Sequence, residues 1–195
     1  QFQKSVTVEE VLGSRPIADP LTLLQCCPTG DGAAAAIICA SDVAGRFEAE
    51  PVKILASELC SGKFTNGFRD MTSMEIAVRG AGIAYEQAGL GPDDIDVAEV
   101  HDAFSIAELL YYEAFGFCER GEAVQLLESG ETTIGGQIVV NPSGGLLAKG
   151  HPIGGTGVAQ VVEIVRQLRG HCGDRQVEGA KVGLTHATGG GAMGM

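Results

Sequence analysis

Three of the four histidines in this chain stand in glycine-rich or junction segments where an imidazole can meet a ligand. His151 lies in the segment 141–157, NPSGGLLAKGHPIGGTG, a single histidine among six glycines. Glycine loses more conformational freedom on folding than any other residue, so a loop this rich in it marks a place where backbone approaches a ligand closely. An imidazole there is suited to move a proton near neutral pH. The amphipathic helix expected over residues 155–169 would add unpaired N–H groups and a positive dipole end, favourable to a carbonyl or an anion.

His101 lies in the run Glu99-Val100-His101-Asp102-Ala103-Phe104, where an expected strand gives way to an expected helix. Ligands of open α/β sheets collect at the carboxyl ends of the strands, so His101 stands where reactive groups are displayed. Asp102 reads either as the cap of the helix that follows it or as a group that orients a histidine. His186 precedes the triple glycine 189–191 at the end of another expected strand, so three histidines can converge from three loops. His171, between Gly170 and Cys172, reads as exposed. Neither G-x-G-x-x-G after a strand nor a P-loop pattern occurs in the glycine-rich segment, which argues against a nucleotide site.

The elements that must position these groups alternate. Residues 51–60, 96–101 and 181–186 have the short apolar character of buried strands, and 33–40, although alanine-rich, is read as a fourth. Residues 71–89, 105–115 and 155–169 have helical spacing. In the first of these, Met74, Ala77, Val78, Ala81 and Ala84 form one stripe, Thr72 or Ser73 is placed to cap the start, and Gly89 and Pro92 end it. Such alternation implies an α/β layered sheet. Residues 46–51 and 119–136 are polar excursions from it, and one domain accounts for the chain.

Composition narrows the function class. Thirteen basic against 25 acidic residues give a formal charge of −12, with no basic cluster to neutralise phosphates, which excludes nucleic acid as the expected partner. No apolar run approaches the ~18 residues of a membrane span. Six cysteines lie mostly in apolar segments with no metal-ligand spacing, and read as reduced thiols of a cytoplasmic protein with no metal site. The pair Cys26-Cys27 reads as packing rather than reactivity. The chain starts at Gln1 without a signal-peptide pattern and stops within an expected strand and hairpin, as expected for one half of a larger fold.

Three ordered motifs, the run 24–35 (LQCCPTGDGAAA), His101 to Phe104 with Gly116-Phe117-Cys118 behind it, and the segment 141–157, together resemble thiolases of the sterol-carrier-protein type. The resemblance covers nearly the whole chain but only the C-terminal half of such enzymes. It implies an α/β layered thiolase-like fold, with residues 1–195 as a C-terminal αβα domain built on a mixed five-stranded sheet and residues 1–30 as an entry segment. The nucleophilic cysteine would come from the absent N-terminal domain. His151, the histidine of Gly150-His151-Pro152, would activate that thiol, which at its ordinary pKa near 8.5 is only a few per cent thiolate at neutral pH. His101 would help complete an oxyanion hole, Gly189 and Gly190 would bring backbone donors, and Ala103 and Phe104 would face the substrate. Residues Cys27, Pro28, Thr29 and Gly30 would line the tunnel of coenzyme A, which enters as a substrate; no bound cofactor is implied.

The departures matter as much. Ala103 stands where relatives of this subtype carry cysteine, and the second catalytic cysteine that other thiolases place before the final glycines is absent here too. Alanine cannot carry a proton, so another group must, and His186 is the candidate. Two activities follow: thiolytic cleavage of a bulky 3-oxoacyl-CoA, or retro-aldol cleavage of a 3-hydroxyacyl-CoA with a small OB-fold partner. A non-catalytic acyl-CoA-binding subunit is the third reading. The resemblance also implies a homo-oligomer.

Overall fold

A computed structural model of the chain describes residues 4–62 and 70–189. A short helix α1 (Val8–Leu12), capped by Thr7, leads into a small antiparallel hairpin of β1 (Pro16–Ala18) and β2 (Leu21–Thr22). After a long irregular stretch come α2 (Glu75–Ala88), β3 (Val97–Glu99), α3 (Ser105–Ala114), α4 (Ala123–Glu128), β4 (Val139–Val140), α5 (Gly145–Lys149), α6 (Thr156–Leu168) and β5 (Gly183–Thr185).

Strand β3 is central. It pairs in parallel with β4 on one side (Val97 opposite Val139) and with β5 on the other (Ala98 opposite Leu184). Parallel neighbours require crossover connections, here α3 with α4 and then α5 with α6. Side chains alternate across the pleat. Val97 and Val139 face Ile164 and Val177 on the α6 side, whereas Ala98, Val100 and Val140 pack with Tyr111, Tyr112 and Ala81 on the side of α2 and α3. The result is an αβα sandwich whose three strands point their carboxyl ends the same way.

Helix α2 begins three or four residues later than the spacing predicts, at a Met74 N-cap without a side-chain hydrogen bond, because Thr72 is turned to Asp70 instead. It ends as predicted, with Gly89 in the left-handed region at φ 67°. Among the described residues the main sheet has three strands, all parallel, where five of mixed direction were expected. Residues 33–40 and 51–60, expected as strands, join no ladder. Their larger apolar side chains have no layer to bury against: Ile37 is 85 %, Ile38 77 % and Leu59 93 % exposed. No helix of the described residues is long and apolar enough to cross a membrane.

Candidate functional site

The three strand ends carry the site. His101 follows β3 by two residues, Asn141 follows β4 directly and His186 follows β5 directly. His101 meets His151 edge to face, with ring centroids 4.8 Å apart at 89°. Burial, and then the neighbouring His151, pushes the His101 imidazole down to about 4, so it is neutral at pH 7.

His151 is held at both ends. Its backbone N–H donates to Pro28 O at 2.9 Å, and residues Thr29 and His151 form a parallel bridge. Its ring Nδ1 lies 2.7 Å from Thr156 Oγ1 in the first turn of α6. A hydroxyl has one hydrogen, and that of Thr156 is donated to Pro152 O at 3.1 Å. The contact with His151 is therefore Nδ1–H donating to Oγ1, which leaves the lone pair on Nε2. Gly150, at φ 90° and ψ 170°, adopts a backbone conformation open essentially only to glycine, and this turn presents His151.

Asp102 caps a helix, but not the one that follows it in sequence. Its carboxylate accepts from Leu146 N at 2.6 Å and Leu147 N at 3.4 Å, the first turn of α5, and α3 starts without a side-chain cap. Burial pushes this carboxyl up to about 7, the α5 amides pulling it back down and Glu108 adding to the rise. Gly145, at φ 60°, is required there, because a Cβ would overlap the Asp102 carboxylate. Beneath the same loop, fully buried Glu99 accepts from Ser143 Oγ at 2.7 Å and Lys149 Nζ at 3.1 Å. Asn141, at φ 50°, accepts from Val100 N and donates to Glu108, which also accepts from the Tyr112 hydroxyl. Sequence reasoning passed over Glu99, Lys149, Asn141 and Glu108. The available signal was a carboxylate inside an apolar strand and a lysine two residues before the histidine.

His186 donates its backbone N–H to Glu99 O at 2.9 Å. Its ring lies 4.4 Å from that of Tyr111 and 5.1 Å from that of Phe115. Burial, and then His101, pushes its imidazole down to about 4 as well. Nε2 is 3.3 Å from Thr188 Oγ1, which is 3.1 Å from the Tyr111 hydroxyl. The Nδ1 atoms of His101 and His186 are both buried without a hydrogen-bond partner among the described residues. Buried polar atoms are rarely left so, and each marks a place for a ligand or water.

The remaining expected residues fall around this centre. Ala103 O accepts from Cys27 N at 2.9 Å, and Phe104, 44 % exposed, pairs with Cys26. Cys27 is not remote packing. Burial, then Asp102 and Cys26, raises its thiol, which makes it a poor nucleophile. Pro28 and Thr29 run alongside His151, and Gly30 opens a cleft of about 330 Å³ whose other wall is Pro152 to Gly155. Gly189 is exposed with open space beside it, and Gly190 lies outside the described residues. His171 is exposed, as expected.

Comparison with known proteins agrees with this architecture. Residues 58–194 match the family model "Thiolase C-terminal domain-like". The chain is 51 % identical over 191 residues to an acetyl-CoA acetyltransferase of Methanothermobacter thermautotrophicus, covering 97 % of this chain and 50 % of that protein. It is 49 % identical to sterol carrier protein 2 of Oryctolagus cuniculus (97 % and 36 % covered) and 44 % identical to the benzoylsuccinyl-CoA thiolase subunit BbsB of Thauera aromatica (97 % and 50 %). A solved structure, the Ltp2-ChsH2(DUF35) aldolase, superposes with a TM-score of 0.80 at 28 % identity, covering 92 % of this chain and 47 % of that one. The chain thus spans half or less of the length of these relatives. With the ends of β3, β4 and β5 carrying His101, Asn141 and His186, with His151 packed against His101, and with matches across nearly its whole length, the chain belongs to the thiolase C-terminal domain-like family.

Proposed function

We propose that the chain is the C-terminal half of a CoA-dependent acyltransferase that cleaves a bulky 3-oxoacyl-CoA by thiolysis. The observation that carries this reading is the 2.7 Å contact of His151 Nδ1 with Thr156 Oγ1, from which the tautomer is inferred. With Nδ1–H held by Thr156, Nε2 is the proton acceptor, edge-on to a neutral His101. In the reaction, His151 Nε2 takes the S–H proton of a cysteine from the N-terminal half, and the thiolate attacks the 3-oxo carbon. The bond between that carbon and Cα breaks, and its electron pair leaves as the enolate of an acetyl-type thioester that keeps the original CoA and takes up one proton, balancing the one lost by the cysteine, while the shortened acyl group stays on the sulfur. Coenzyme A next attacks the acyl-enzyme thioester, giving up its thiol proton and releasing the cysteine.

Neutral imidazoles suit this chemistry, because they donate to a developing oxyanion without adding a positive charge that would raise the basicity demanded of His151. The small Ala103 leaves room at the reacting centre for a branched or aromatic acyl chain. The cleft between residues 30–34 and 152–155 is where the pantetheine arm of coenzyme A would lie, against the amino end of α6. The N-terminal half would cover the exposed Ile37, Ile38 and Leu59, and the assembly would be oligomeric.

Full-length protein incubated with a 3-oxoacyl-CoA should gain the mass of the acyl group, and His151→Ala should abolish that gain. An undiminished gain in the variant refutes the role of His151. The likeness to the Ltp2-ChsH2(DUF35) aldolase, together with alanine at position 103, favours a second reading as a retro-aldolase. In that case a 3-hydroxyacyl-CoA releases a ketone or aldehyde with no consumption of free CoA, whereas strict dependence on added CoA rules it out.

A further inference from the structure

We propose that the ion pair between Lys149 and buried Glu99 sets the distance between the two facing imidazoles, so that Lys149 and Glu99 are positioning residues for His151. The proposal rests on the thiolase reading of His151 as the base and adds to it what holds that base in place. Helix α5, Gly145–Lys149, has five residues, and a helix that short does not hold together on its own. Two carboxylates fasten it, one at each end, and both flank His101. Asp102, the residue after His101, takes the amides of Leu146 and Leu147 at the start of the helix. Glu99, two residues before His101, takes the Lys149 ammonium at its end, at 3.1 Å.

The same Glu99 carboxylate accepts from Ser143 N at 3.2 Å and Ser143 Oγ at 2.7 Å, and Lys149 Nζ also donates to Ser143 Oγ. The loop that enters α5 and the residue that ends it are therefore gathered on one group. Gly150 follows, and its turn presents His151. His101 and His151, with ring centroids 4.8 Å apart, thus stand at the two ends of a closed frame that runs from β3 through Glu99 and Lys149 to Gly150. The bonds of His151 to Pro28 O and Thr156 Oγ1 hold the residue itself and tie it to the segment after it. The ion pair ties the segment before it to the strand of His101.

A buried ion pair seldom stabilises a fold more than apolar residues of the same volume would, and its best-attested use is to fix register. Here the Glu99 side chain is 0 % and that of Lys149 33 % exposed, so the carboxylate is the fixed member and draws the end of α5 to itself. A catalytic group misplaced by about 1 Å can lose about 10²-fold in rate. His151 would keep its other two bonds without the pair, so a smaller displacement and a loss of about tenfold in kcat are expected. KM should change little, because neither Glu99 nor Lys149 lines the cleft between residues 30–34 and 152–155.

The test is full-length protein carrying Glu99→Gln together with Lys149→Met, which keeps an acceptor for the Ser143 hydroxyl and strands no charge. This double variant should melt within a few degrees of the native protein, unlike Lys149→Met alone. Histidines labelled with 13C in the ring, assigned by the signals lost in His101→Asn and His151→Ala, report the geometry at fixed pH. In the native protein the ring proton that faces the neighbouring imidazole is shielded by it, and in the double variant that shielding should fall. Steady-state thiolysis of 3-oxooctanoyl-CoA should lose about tenfold in kcat with KM little changed. A double variant that keeps either the native ring signals or the native kcat overturns the proposal. Should it not fold, Lys149→Met, which leaves Glu99 both Ser143 donors, is read by the same signals. A native protein that forms no acyl-enzyme sinks the thiolase reading instead, while the ring signals still decide whether the ion pair places His151.

Discussion

Replacing Thr156 by valine isolates the one contact on which the base role of His151 depends. Thr156 is 5 % exposed and valine has nearly its shape, so no cavity opens. The hydroxyl makes two hydrogen bonds, but Pro152 O loses little, because it also accepts from Gly155 N at 2.8 Å and Thr156 N at 2.9 Å. The cost therefore falls on His151 Nδ1–H, which loses its acceptor. Leaving a donor unpaired costs about 1–3 kcal/mol. Part of that cost is relieved when the ring takes the other tautomer or turns away, and either change removes the lone pair from the thiol. With 1.4 kcal/mol per factor of ten, formation of the acyl-enzyme should slow by roughly 5- to 150-fold. Rapid-quench mass spectrometry of the full-length protein with a 3-oxoacyl-CoA reads this step directly, and Thr156→Ser, which keeps the hydroxyl, should recover most of the rate. A valine variant as fast as the native protein, or a serine variant as slow as the valine one, refutes the assignment of Nε2 as the base.

Gly145→Ala should destabilise the protein by about 3–5 kcal/mol in urea denaturation, since a left-handed alanine costs about 1–2 kcal/mol and its methyl group displaces Asp102 from its charge-assisted bonds to the α5 amides. Gly82→Ala, exposed in the interior of α2 with open space around it, should instead stabilise it by about 0.5–1 kcal/mol. Lys149→Met should cost about 2 kcal/mol in the same assay, below the usual range for stranding a buried charge because Glu99 keeps both Ser143 donors. For pH, His101 and His186 titrate near 4 when folded and near 6.5 when unfolded, so between these values the unfolded chain binds more protons and their contribution to stability is lost as pH falls. Asp102, held near 7 against an ordinary 3.8, works the other way, losing its contribution as pH rises across that span. Thermal melts of His101→Asn and His186→Asn should therefore fall off less steeply from pH 6.5 to 4 than those of the native protein.

The sequence by itself determined the alternation of strands and helices, the ends of α2 and α6 to within a few residues, and the placing of His101 and His186 at the carboxyl ends of strands and of His151 just ahead of α6. These are local signals: a 3.6-residue or two-residue period, a glycine at a left-handed helix end, and the rule that parallel strands present ligand groups at their carboxyl ends. Tertiary structure decided the rest. Period reveals that residues 33–40 and 51–60 are apolar but not whether a covering layer is present, and here their side chains stand exposed. Capping rules look to the next helix, so the cap reading of Asp102 points to α3, although the amides that it satisfies are 44 and 45 residues away. Which nitrogen of His151 holds the hydrogen depends on the hydroxyl of Thr156 and on where that hydroxyl sends its own hydrogen, and only the packed site brings these groups together.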